Sequence, residues 1–402
     1  MSRYGDLLRA PGVARIISAQ LTARFPNGML SLAYLLHIEG ITDSYGSAGL
    51  VLAATSVGQA VAGPLTSRWM GIWGMRRVLT LTLIVCTLSM AGIAFLTVPV
   101  WAYMLIGLVG GLATPPVQPA VRTIYPKMVN SRQLTPLFSL DASAQEIIWI
   151  AAPVVTTFIA TQVSTVAAIV VAMVFLVGGG AWFIACPEVG RVRIPRSRRR
   201  MGLVLARRPV LLATITGFLL VGACAAVEAA VVSSFGEGSA QSGFVLAIWA
   251  VASLIGGLSF GHIPVGPWAL ARRMFVVFVG MALAIFAFDF WSLSAALVVA
   301  GITLAPALAV MFAIVSASVR FSDTAEAYGW VGTGQLIGAA LGSAVAGFLI
   351  DAQGSVGGFW AAAAFAGVGF IVPTVFRRWH PDLRGRDASP IPDTEPIAVQ
   401  PS

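Results

Sequence analysis

Pro187-Glu-Val-Gly-Arg-Val-Arg-Ile-Pro-Arg-Ser-Arg-Arg-Arg-Met-Gly-Leu-Val-Leu-Ala-Arg-Arg-Pro209 decides the fold. It holds eight arginines, Arg191, Arg193, Arg196, Arg198, Arg199, Arg200, Arg207 and Arg208, and long apolar sequence flanks it on both sides. A charge run this dense neither lies in hydrocarbon nor folds into a core. It belongs in water on one side of a membrane, beside anionic headgroups that attract it. Read in the simplest way, it is a solvated linker that fixes topology and divides the chain into halves of similar length.

The flanks agree. Hydrophobic residues make up 58% of the 402-residue chain and charged residues 10%, where a soluble domain carries about 25% charged. Many apolar stretches are about 20 residues long, enough to cross a bilayer as helices. The expected class is an all-α membrane protein of about twelve spans. They run over roughly 13–38, 46–68, 77–97, 100–122, 135–160 and 165–185, then 209–234, 241–262, 273–290, 293–318, 326–350 and 355–376. The chain then divides into a six-helix bundle over 1–186, a basic linker over 187–208, a second six-helix bundle over 209–376 and a tail over 377–402. The tail is rich in Pro and Asp without periodicity, so it is expected to be disordered.

Orientation follows from the basic residues. With the N-terminus in the cytoplasm, every Lys and Arg but Arg24 falls on the inside: Arg3, Arg9 and Arg15; Arg68, Arg76 and Arg77; Arg122, Lys127 and Arg132; the linker; Arg272 and Arg273; Arg320; and Arg377, Arg378, Arg384 and Arg386. The outer loops carry acids only, Glu39, Asp43, Glu237, Asp289 and Asp351. Both termini are therefore expected inside a multi-pass cytoplasmic membrane protein. The net charge of +9 sits in short loops rather than on one soluble face, which argues against nucleic acid as a partner. Neither the scattered His37, His262 and His380 nor Cys86, Cys186 and Cys224 have metal-ligand or disulfide spacing, and no phosphate-cradling loop occurs, so no cofactor, metal or enzyme activity is expected.

Chemistry points first to Arg24, in mid-span, where a charge is expensive and functional by default. Gln20, Arg24, Asn27 and Ser31 form one polar stripe at helical spacing, and Pro26 and Gly28 loosen the helix there. The stripe is expected to face a wet cavity. In the fifth span Glu146 shares a stripe with Ser139 and Ser143, while Asp141 and Gln145 form a second one rotated away from it. A buried carboxylate of this kind can carry a proton. Asp141, nearer the inner surface, is expected to pair with an inner arginine. Glu228 is the only acid in the seventh span. Gln59, Gln118 and Gln335 are amides suited to substrate or to stapling helices. Pro115, Pro116 and Pro119 break the fourth span, and Gly334, Gly338 and Gly342 allow close helix contact. The two halves also echo each other: Gln145-Glu-Ile-Ile-Trp-Ile-Ala-Ala resembles Gln335-Leu-Ile-Gly-Ala-Ala-Leu-Gly, with Phe158 and Phe348 at the same offset.

Two six-span halves joined by a basic loop resemble the major facilitator superfamily. A second marker is the loop Gly63-Pro-Leu-Thr-Ser-Arg-Trp-Met-Gly-Ile-Trp-Gly74-Met-Arg76-Arg77. In the family this loop carries a Gly, Asp-Arg, Gly, Arg-Arg signature that pairs charges across the cytoplasmic gate. The resemblance implies gate roles for Arg68, Gly74, Arg76 and Arg77, to which Arg122 and Asp141 are added. It departs in one respect: Gly71 stands where the family has its acid, and no Asp or Glu occurs between Asp43 and Asp141. Ala152-Pro153 stands where exporters carry Gly-Pro in the fifth span. Arg24 with Pro26, Asn27 and Gly28 resembles actinobacterial members described broadly as efflux permeases. The family implies alternating access around a midplane cavity.

The expected function is therefore secondary transport of a small organic solute, outward in exchange for protons, by a monomer. Arg24 and Glu146 would form a charge pair that rearranges. Gln20, Arg24, Asn27, Ser31, Gln118, Ser143, Glu146, Glu228 and Gln335 would line the cavity. The alternatives are uptake or facilitated diffusion, with Arg24 holding an anionic substrate, and a non-transporting scaffold or receptor.

Overall fold

A computed structural model describes residues 2–197, 199–236, 239–261, 263–287, 289–385 and 388–393. Arg198, Glu237, His262, Arg386 and residues 394–402, all part of the expectations above, lie outside the described residues.

The apolar stretches are helices. Ten are long and apolar enough to cross a membrane: Tyr45–Trp73, Met75–Phe95, Val100–Lys127, Gln133–Gln162, Thr165–Ala185, Arg208–Phe235, Ala240–Phe260, Phe290–Ser318, Phe321–Gln353 and Ser355–Val375. Two more complete the set. Val13–Arg24 and Pro26–Thr42 are one span interrupted at Phe25, and Ala269–Ala284 is a short ninth span. Twelve spans in two sets of six result.

Local chemistry explains the interruptions. Pro26 lacks an N–H to continue the first helix, so Phe25 turns and its N–H reaches only the Thr22 carbonyl, at 3.3 Å. Pro115 and Pro116 divide the fourth span into Val100–Leu112 and Val117–Ile124. The tenth span divides at the corresponding place, into Phe290–Gly301 and Leu304–Ser318, two residues before Pro306. The fifth and eleventh spans are the longest helices, at 32 and 33 residues, and Gln145 and Gln335 occupy the same offset from their starts. These matched irregularities carry the pseudo-symmetry.

The halves meet mainly near the arginine-bearing ends of the spans. Thr333 donates to the Ala60 carbonyl at 2.6 Å. Beside it Gly63 and Gly329 bring the second and eleventh helices into backbone contact, and a Cβ on Gly329 would lie 2.5 Å from the Gly63 oxygen. Among the described residues, every hydrogen bond between halves falls on the basic side of the spans or at mid-depth. The molecule is closed at its basic face.

Two expectations for that face are corrected. The linker is not simply solvated: Val189, Ile194 and Val204 are buried, Glu188 is buried and pairs with Arg15, and Ser197 donates to Asp323 at 2.6 Å. Nor are residues 377–385 and 388–393 disordered. Leu383 and Ala388 are buried, the Leu383 N–H donates to the Val265 carbonyl at 2.9 Å, Ile391 bridges to Arg320, and Asp393 accepts from the Ser322 hydroxyl at 2.6 Å. In both segments a few apolar side chains find a hydrophobic floor between helix ends, and backbone bonding follows.

His380 is buried in this docked segment, and burial, opposed by a bond to the Pro381 carbonyl, pushes its pKa below the ordinary value. The sign follows from linkage: the undocked segment binds the proton more readily, so docking is fully stable above about pH 6.5 and weakens as pH falls through the depressed folded value. In phospholipid-free detergent, protection of the Leu383 amide against hydrogen exchange, relative to its intrinsic rate, should fall between about pH 6.5 and pH 5. His380→Asn should remove that dependence.

Candidate functional site

The interior polar centre is built on Asp141, a fully buried carboxylate in the fifth span. Its Oδ2 accepts from Arg122 Nε at 3.1 Å. Its Oδ1 accepts from Gln20 Nε2 and from the Tyr125 hydroxyl, both at 3.1 Å, and lies 3.6 Å from Arg24 Nη1. Arg24 also donates to Gln20 Oε1 at 2.7 Å and to Gln145 Oε1 at 2.5 Å. With its amide oxygen turned toward Arg122, Gln118 accepts from both terminal guanidinium nitrogens at 2.6 and 2.7 Å. Two guanidinium groups thus share one carboxylate in a low-dielectric site, where an unpaired charge would be costly.

This arrangement corrects the expected Arg24–Glu146 pair. Arg24 is 4% exposed and is turned into the protein rather than into a wet cavity. The reason is helical geometry. Asp141 and Gln145 lie four residues apart on one face and claim Arg24, whereas Glu146, about 100° further round, points elsewhere.

It points at the other half. Glu146 accepts from the Ser253 hydroxyl of the eighth span at 3.0 Å, and Ser253 in turn accepts from the Ala305 N–H at 3.2 Å. Ser139, on the same stripe, donates to the Gly257 carbonyl at 2.7 Å. A Cβ on Gly257 would stand 1.8 Å from the Ser143 hydroxyl, so only glycine admits that serine. The whole Ser139–Ser143–Glu146 stripe is therefore the seam between halves. Glu228 is exposed on the seventh span.

On the basic side of this centre lies an aromatic plug. Phe138 packs against Tyr125 at 6.0 Å, Phe312 at 6.4 Å and Tyr328 at 6.3 Å between ring centroids. The Tyr328 hydroxyl donates to the Phe312 carbonyl at 2.9 Å, and the Arg122 guanidinium lies 3.4 Å from the Phe312 ring centroid, a cation–π contact between halves. Beyond the plug, Arg68 pairs with Glu326 of the eleventh span at 3.1 Å. Glu326 also accepts from the Gly202 N–H of the linker at 2.7 Å, and Arg68 donates to the Arg199 carbonyl. Arg199 and Asp323 approach to 3.8 Å.

This closure between two six-helix sets has known counterparts. The family model of the Major Facilitator Superfamily matches residues 16–288 and 226–398. The chain belongs to the major facilitator superfamily. Solved structures of similar fold include the human organic anion transporter MFSD10 (TETRAN), 16% identical over 90% of this chain and 100% of that one, with a TM-score of 0.71. A bacterial homologue of the iron transporter ferroportin in an outward-facing state is 11% identical over 91% and 98%, with a TM-score of 0.73. The E. coli fucose:proton symporter FucP is 15% identical over 92% and 98%, with a TM-score of 0.70. At these identities the likeness shows the fold alone. No curated protein sequence matches the chain.

Within this superfamily frame the missing loop acid has a counterpart. The loop residue Arg68 pairs with a carboxylate of the opposite half, Glu326, with no acid at Gly71. Gly74 turns the loop with φ of +89°, a region open to glycine. Arg76 ties the loop to its own half, donating to the carbonyls of Ile184 at 3.1 Å and Cys186 at 3.3 Å, and Arg77 is exposed. Of the other expected cavity residues, Asn27 and Ser31 are exposed and join no contact of the Asp141 centre. Gln335 is half-buried against Gly217, whose absent side chain makes room for it. Ser253, Phe138, Phe312, Tyr328, Asp323 and Glu326 were missed. Asp323 and Glu326, two acids just after Arg320 at the start of the eleventh span, were the one visible signal.

Asp141→Asn should leave two buried guanidinium groups without a counter-charge and destabilise the fold by roughly 3–5 kcal/mol. Glu146→Gln, which keeps an acceptor for Ser253, should cost less than about 1 kcal/mol. Thermal unfolding in detergent separates the two, and equal losses would remove the distinction drawn between them. For the latch, spin labels at positions 77 and 320, both exposed on the basic face, should report longer distances in Arg68→Glu. Combining it with Glu326→Arg should restore the closed distance.

Proposed function

We propose that the chain is a secondary transporter that exports a small cationic organic solute across the cytoplasmic membrane in exchange for protons, by alternating access between its two halves. Glu146 is the observation that carries this reading. It is a buried carboxylate on the seam, and its one hydrogen-bond partner among the described residues is a neutral hydroxyl from the opposite half. Among the described residues no cation pairs with it. A carboxylate held this way is served by a proton or by a substrate cation, one at a time. Glu228, exposed on the seventh span of the second half, adds a second acid that can meet a cationic substrate.

Arg24 has the opposite character. Matched by Asp141, Gln20 and Gln145, it is a fixed part of the first half, which disfavours an anionic substrate held by Arg24. Its role is to hold the fifth helix at the rotation that turns Glu146 to the seam. Closure at the basic face leaves access from the opposite end. With the basic face in the cytoplasm, as the arginine distribution predicts, this conformation faces outward.

The test uses inside-out vesicles with an acid interior and a fluorescent pH probe. A lipophilic quaternary ammonium salt should discharge the gradient through the wild type, and an aromatic carboxylate should not. Glu146→Gln should lose the discharge while remaining folded. Discharge by the carboxylate alone would overturn the substrate charge, and undiminished discharge by Glu146→Gln would overturn the coupling role.

A further inference from the structure

A second polar region lies apart from the central seam, where the eighth-to-ninth-span loop meets the docked tail. An open groove of about 790 Å³ is bounded there by the loop over 263–268, the first turn of the ninth span, the end of the twelfth span and residues up to Arg384. Five arginines line it: Arg272, Arg273, Arg377, Arg378 and Arg384. Among the described residues that line the groove, a single carboxylate offsets them. Asp382 is bound by Arg384 at 2.7 Å, and hydrogen bonds from Arg384 hold its pKa down at about 2, so it stays ionised and neutralises one charge only.

The remaining arginines are not consumed by the fold. Arg273 donates to the Pro306 carbonyl at 2.7 Å, a neutral partner, and Arg377 lies 4.8 Å over the Trp268 ring. Arg272 and Arg378 are exposed and have no hydrogen-bond or ionic partner among the described residues. His380 is a second, independent pointer. It lines the same groove, is 4% exposed, and its Nδ1 lies 2.7 Å from the Pro381 carbonyl. A carbonyl only accepts, so Nδ1 carries the proton. Nε2 is left buried without a partner, a position that becomes a donor once protonated beside an anion.

The other wall is apolar. Phe260, Ile263 and Trp268 are each more than a third exposed, next to the arginines and at the ends of membrane-spanning helices. Arginines above exposed apolar side chains, with a tryptophan between, match the boundary between phospholipid headgroup and acyl chain.

We propose that this groove is a specific site for the phosphate of an anionic phospholipid, held by Arg272, Arg378 and Arg273 with His380 Nε2 and with its glycerol and upper acyl carbons against Phe260, Ile263 and Trp268. Phosphate chemistry alone would admit inorganic phosphate; the exposed apolar wall favours the lipid. The site joins the tail, the loop and the ninth span, so an occupied groove fastens the docked segment to the second half.

The test takes the full chain in detergent, delipidated, and reads bound lipid by native mass spectrometry during titration with phosphatidylglycerol. One bound lipid should resist competition by excess phosphatidylcholine and by millimolar inorganic phosphate. Arg272→Gln/Arg378→Gln should weaken that binding by roughly tenfold. The control Arg9→Gln/Arg77→Gln removes the same charge from exposed positions on the same face and should leave binding unchanged. Equal weakening by both double variants would reduce the groove to diffuse surface charge and overturn the proposal. Displacement by inorganic phosphate at comparable concentration would also overturn it, by making the ligand a free anion.

Discussion

The buried Asp141 carboxylate is the constraint on which the interior depends. Two guanidinium groups, Arg24 and Arg122, reach it from the first and fourth spans, and neither tolerates a dry interior alone. Satisfying both fixes the rotation of the fifth helix about its own axis. That rotation then decides what the helix shows to the opposite half: Ser139, Ser143 and Glu146 turn to the seam because Asp141 and Gln145 are committed inward. The paired charges and the carboxylate at the seam lie on two faces of a single helix, set by one ion triad.

The same centre joins the interior to the aromatic plug. Arg122 contacts the carboxylate through Nε and lays its guanidinium plane on Phe312 of the other half. Phe312 belongs to the plug with Phe138 and Tyr328. Electrostatics at mid-depth and aromatic packing toward the basic face therefore share a residue, so parting the halves there strips Arg122 of a contact as well as exposing apolar rings.

Much of this architecture was legible in the sequence, and the limits have physical causes. Hydropathy located the spans because a bilayer demands uninterrupted apolar length, and Pro26 and Pro115 announced their breaks because a missing N–H acts locally. The two stripes of the fifth span were readable from spacing alone. Which stripe takes Arg24 was not, since spacing gives relative angles and only packing supplies the absolute rotation. Glu326 lies far along the chain from its partner Arg68, and no local pattern links them. The linker and tail were misjudged for another reason. Val189, Ile194 and Leu383 stand singly among charged and turn-forming residues, and a segment that docks through isolated apolar side chains has no period to detect.

The glycine contact between Gly63 and Gly329 bears on motion. Two backbones touching without side chains form a smooth bearing, with no interdigitated knobs to climb over when one helix rolls on the other. The resistance to opening then resides in discrete catches around it, among them the Thr333–Ala60 hydrogen bond, the ion pair of Arg68, the linker bond from Gly202 and the aromatic plug. The Arg68 pair and the Gly202 bond end on one buried carboxylate, Glu326, so the loss of that single group releases both catches at once.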